Sequence, residues 1–157
     1  MKWIQERYSD YDDERRQIVL LVSMLPPPIS LDILCAITGT SPVKILQVVE
    51  ELTKARYLSR HAGKGAGYYQ LTDFTLARPF LTWVPQEACF QAARQCIAGI
   101  IAHLPDKPKQ WLHLAHVYQM TQLPVTHFRE LINAGHYCRE RNLPIDAAQY
   151  YRMALDA

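Results

Sequence analysis

Apolar residues recur at helical spacing through most of the chain, and the clearest pattern lies between Ser30 and Thr72. Leu31, Leu34, Cys35 and Ile37 fall on one side of a short helix that Ser30 is suited to cap and Gly39 to stop. Ser41-Pro42 offers a second cap with proline at the first helical position, and Ile45, Val48, Val49 and Leu52 continue at helical spacing. The pattern turns extended at Tyr57. Two short runs of strand-like composition, YLSRH and YYQLT, flank the loop from Ala62 to Gly67, which predicts a hairpin.

Helix, tight corner, helix and glycine-tipped hairpin together predict a winged helix-turn-helix, within a domain spanning residues 1–84. Ahead of it, residues 1–16 are polar, and an apolar helix is expected from about Arg15 to Leu25, ended by Pro26-Pro27-Pro28. Asp10, Asp12, Asp13 and Glu14 suit a helix start, since carboxylates face its positive end. A calcium loop counted from Asp10 would need glycine where Arg15 stands, and its closing glutamate is missing.

Beyond Thr72 a short helix is expected near Pro79, then four striped helices at about 86–104, 109–121, 126–141 and 145–157. Their stripes include Cys89, Ala93, Cys96, Ile97, Ile100 and Ile101 in the first, and Trp111, Leu114, Ala115 and Tyr118 in the second. Breaks at Pro105 and Pro108, at Pro124, and at Asn142 and Pro144 leave connections of a few residues, which set neighbouring helices antiparallel. The fold class is therefore mainly α: a winged helix followed by antiparallel helical hairpins over residues 85–157.

Composition narrows the function classes. The 157 residues carry 17 basic against 15 acidic side chains, 10 against 9 before Pro85 and 7 against 6 after it, so neither half is a basic domain. Four cysteines without close pairing read as buried thiols of a reducing cytosol, and no leader or membrane span is expected, which makes the cytoplasm the expected location.

Motifs for chemistry fail on inspection. Lys64 in GKGAG lacks the glycine of a phosphate loop, since Leu58 stands there, and Gly65 replaces the magnesium-binding hydroxyl. His103, His113, His116, His127 and His136 show no zinc spacing, and no serine or cysteine sits in a glycine-flanked elbow. No enzyme, metal or cofactor is expected.

Gly135, then Ala147, Tyr151 and Ala154, stand where a tetratricopeptide repeat places small, small, aromatic and small residues, so the last two helices resemble that repeat. Helix 109–121 gives a partial echo of the pattern. Together, the EEL and ARYL stretches of the winged segment, followed by LAHVY, INAGHYCRERN and AAQYYRMALDA, resemble the segment behind the nucleotide-binding core in STAND-type bacterial signalling ATPases. The resemblance covers about residues 12–157. It implies a winged helix that packs on an ATPase core and repeats that sense a partner, with the core itself outside this chain. A chain that stops after Tyr150, Tyr151, Met153 and Leu155 without a polar capping helix is expected to continue.

Two functions follow as expectations. In the first, the chain is a regulatory arm that binds protein: its own ATPase core or a separate partner. In the second, the second helix of the corner enters a DNA groove with the wing on the backbone. Lys44, Gln47, Arg60 and Lys64 are the candidate surface in either case, but Glu50 and Glu51 beside them oppose phosphate, which disfavours DNA. Arg129, Arg139 and Gln149 are the candidate repeat surface, and Tyr137 and Tyr150 are expected as exposed aromatics near it.

Overall fold

A computed structural model describes residues 1–63 and 67–156. Among these, the chain is mainly α-helical, with nine α-helices and one small antiparallel sheet.

The first sixteen residues depart from expectation. They hold a helix of their own, α1 (Lys2–Asp10), and α2 (Asp13–Met24) begins earlier than Arg15. Helix α1 buries only Ile4 and Tyr8, one turn apart, too sparse a pattern to stand out in a polar segment. The acidic cluster has the role that helix polarity suggests: the Asp12 carboxylate accepts a hydrogen bond from the Arg15 amide at 2.9 Å, with Asp13 and Glu14 in the first turn. From Ile18 to Met24 every side chain of α2 is buried, so the C-terminal half of this helix lies inside the molecule while its first turn reaches the surface.

The corner follows its caps. Helix α3 (Leu31–Thr38) starts at Ser30, whose hydroxyl accepts from the Ile33 amide at 3.1 Å, and stops at Gly39 in the left-handed region, φ +68°. Helix α4 (Pro42–Lys54) starts at Ser41 and buries Ile45, Val48, Val49 and Leu52 completely. In α3 only Leu34 is fully buried, while Leu31, Cys35 and Ile37 rest at the core's edge.

Three strands form the sheet, in the order β1 (Ile29–Ser30), β3 (Tyr68–Leu71), β2 (Leu58–Arg60), each pair antiparallel. The two runs expected to close as a hairpin do pair, with Leu58 opposite Leu71 and Arg60 opposite Tyr69. Strand β1 is an addition: Ile29 faces Tyr69 across the other edge of β3. Two residues carry no alternation, so nothing in the sequence pattern marks them as a strand.

A single 3-10 turn, Phe74–Leu76, leads into α5 (Ala77–Trp83), which accepts Pro79 within its first turn. Then come α6 (Gln86–His103), α7 (Lys107–Thr121), α8 (Phe128–Glu140) and α9 (Pro144–Leu155), each packed on the next. Their ends differ from expectation by no more than two residues, which is the range over which helices fray and caps compete.

Buried side chains on both sides of Val84 belong to one continuous core. Helix α2 packs on α5, α6 and α7, and α3 lies against α6. At that last contact a Cβ on Gly99 would meet Ile37 Cγ1 at 2.5 Å and its Cα at 3.3 Å. The two helices approach at a point where only glycine leaves room.

Candidate interaction surfaces

The outer face of α4 is built from its first two turns. Val43 is 68% exposed and Leu46 36%, with Gln47 and Glu50 exposed beside them. Lys44 belongs to the same turn, but its ammonium bonds to the Glu14 carboxylate on α2 and is about one-third exposed. That contact holds the Glu14 carboxyl below its ordinary pKa, the Lys44 hydrogen bond being the largest cause. One turn before the helix ends, Glu51 pairs with Arg7 of α1 at 3.5 Å. The N-terminal helices thus engage one cation and one anion of α4.

Of the residues expected on this surface, Gln47 is exposed. Arg60 is exposed at the end of β2, outside any ion pair among the described residues. Lys64 lies outside the described residues. Lys54, which helical spacing also places on the outward side of α4, is exposed near its C-terminal end, as is Arg56, a cation not singled out from the sequence, which takes a positive φ of 63° as the chain turns.

In the helical pairs, Arg129 and Arg139 are exposed on one stripe of α8 together with Ile132 and His136. Gln149 sits elsewhere. It is half-buried in a cleft shared with Tyr118, Gln119, Met153 and Asp156, and neither arginine lines that cleft. The expected exposed aromatics are both half-buried. Tyr137 lies under the Arg141 guanidinium, 3.6 Å from its ring centre, and Tyr150 packs on the core, where burial raises its pKa to about 12.

The α8–α9 contact centres on Tyr151. Its ring lies against Gly135, and its hydroxyl bonds to His136 Nδ1 at 2.6 Å. A parallel pair forms one helix earlier, where Tyr118 bonds to His127 Nδ1 at 2.6 Å. Beside it, α6, α7 and the segment before α8 enclose a cleft of about 550 Å³, lined by Arg94, Ile97, Ile101, Leu123, Thr126 and His127 among others. Sequence reasoning missed this cleft. The available signal was Ile101, which extends the apolar stripe of α6 past the width that neighbouring helices cover and stays 43% exposed.

The remaining histidines do not converge. Among the described residues no group of three or more His, Cys, Asp or Glu side chains is arranged to hold a metal ion. His113 Nδ1 bonds to the Lys109 carbonyl at 2.9 Å, while His116 Nε2 is buried without a hydrogen-bond partner among the described residues and its ring faces Phe74. Burial, with a smaller push from His113, lowers the His116 pKa to about 4. All four cysteines are free thiols, and burial raises the pKa of each. No described helix is long and apolar enough to cross a membrane.

Compared with protein-family models, with curated proteins and with solved structures, the chain matches none.

Proposed function

We propose that the chain is a non-catalytic regulatory arm that works through protein contacts in the cytoplasm. In this reading residues 1–84 are a winged helix that packs on the core of a STAND-like signalling ATPase. Residues 85–157 are tetratricopeptide-like hairpins that bind a partner. The two-helix corner followed by a sheet in the order β1-β3-β2 supports the winged-helix assignment. Tyr151 seated on Gly135 supports the repeat assignment.

One observation carries the choice of protein over DNA. The first turns of α4, which in a DNA reader contact base edges, present Val43, Leu46, Gln47 and Glu50, while Lys44 is spent on Glu14. An apolar tip with a carboxylate behind it suits a protein surface and repels phosphate.

The second reading is a DNA-binding transcriptional regulator with a helical sensor region. It is favoured by Lys54, Arg56 and Arg60, three exposed cations near the C-terminal end of α4. Fluorescence anisotropy of a labelled random duplex, titrated with the chain at low and at physiological salt, separates the two. The regulatory arm predicts no binding at either. Micromolar affinity that falls steeply with salt and weakens in Arg60→Glu would establish the DNA reading instead.

A further inference from the structure

The cleft between α6, α7 and the start of α8 has the composition of a ligand site rather than of a packing fault. Arg94, Ile97, Ala98 and Ile101 follow one another along one face of α6 at helical spacing and line it. Leu123 and Pro124, after α7, add to the apolar lining. At about 550 Å³ it is within the range of small-molecule sites, which are apolar with a few placed polar groups.

One of those polar groups is a cation, and none is an anion. Arg94 is exposed, forms no ion pair or hydrogen bond among the described residues, and is the one charged side chain in the lining, which contains no carboxylate. The Tyr118 hydroxyl and His127 Nδ1 share a hydrogen bond of 2.6 Å; with the phenol as its donor, the imidazole proton sits on Nε2 and gives the cleft lining a second donor. Thr126 Oγ1 stands 3.3 Å from both the Tyr118 hydroxyl and His127 Nδ1, adding a hydroxyl to the same corner. A guanidinium and an imidazole in the lining of an apolar trough match an anionic head on a hydrocarbon body.

We propose that this cleft binds a small apolar carboxylic acid, its carboxylate held by Arg94 and His127 and its hydrocarbon laid on Ile97, Ile101 and Leu123. The proposal concerns α6–α8 alone and stands whether or not the chain is a regulatory arm.

Backbone amide NMR spectra of the full chain at pH 7.5, titrated with decanoate, decanol and acetate, test it. Decanoate is expected to bind with Kd below about 1 mM, shifting the amides of Ile97, Ala98, Ile101, Thr126 and His127, while acetate shifts none. Arg94→Gln, a change at an exposed position, is expected to weaken decanoate about tenfold and leave decanol unchanged. Equal affinity for decanoate and decanol, an unaffected Arg94→Gln variant, or shifts outside the cleft would overturn the proposal. So would a leucine-terminated tripeptide binding more than tenfold tighter than decanoate, which would assign the cleft to a protein C-terminus.

Discussion

The ring of Tyr151 occupies the space that a side chain at residue 135 would need: a Cβ on Gly135 would lie 2.5 Å from Tyr151 Cε1 and 2.7 Å from Cδ1. Intrinsic propensity favours alanine over glycine inside a helix by roughly 1 kcal/mol. Overpacking a fitted contact costs about 1–3 kcal/mol. Gly135→Ala is therefore expected to destabilise the chain despite the better helix former, lowering its urea midpoint. A raised midpoint would show that α8 and α9 have room to separate.

Ile37 and Gly99 obey the same rule across a longer stretch of sequence. Because the approach includes the Ile37 Cα at 3.3 Å, rotating the side chain does not remove it. Gly99→Ala is expected to destabilise, and Ile37→Ala in the same chain to recover part of the loss. The double-mutant cycle should give a coupling of about 0.5–3 kcal/mol. Additivity of the two changes would mean that α3 and α6 do not bear on each other there.

Ser23 and Tyr57 make a buried hydrogen bond of 2.6 Å whose direction is fixed by a third group. The Ser23 hydroxyl donates to the Val19 carbonyl at 2.8 Å, so its one proton is used and Tyr57 must be the donor. Ser23→Ala leaves the Tyr57 hydroxyl buried and unpaired, a cost of about 1–3 kcal/mol, whereas Tyr57→Phe removes donor and bond together. Thermal or urea unfolding should rank Ser23→Ala as the more damaging of the two. Spectrophotometric titration should find Tyr57 un-ionised until about pH 12, where burial places its pKa.

His116 is one source of acid sensitivity. Its folded pKa, about 4, lies below the ordinary 6.5, so the unfolded chain binds the extra proton first. The contribution of the neutral ring is complete above pH 6.5 and is lost as pH falls from there toward 4. His116→Gln is expected to flatten the decline in stability over that window. In the wild-type protein the ring's NMR signals should titrate near 4. A midpoint near 6.5 would place the imidazole in water.

Sequence pattern carried the corner well because its signals are local. Ser30, Gly39, Ser41 and Pro42 each fix a cap within one turn of themselves, and α4 needs nothing from elsewhere to be recognised. What escaped depended on partners far along the chain. Helix α1 buries two side chains, and strand β1 is defined by Tyr68 and Tyr69 some forty residues away. The surface residues split the same way. Gln47 and Arg60 are exposed, as helix and hairpin geometry suggested, but nothing near Lys44 in sequence announced Glu14, thirty residues earlier, as its ion-pair partner. The α6–α8 cleft is a property of three helices at once and has no linear motif.

Both outer strands of the sheet are very short, two residues in β1 and three in β2, with the longer β3 shielded between them. An edge of that length offers a neighbouring molecule too few free amide and carbonyl groups to extend a ladder. The described sheet therefore gives a neighbouring copy little backbone to pair with, and helical side chains make up most of the surface open to contacts between copies.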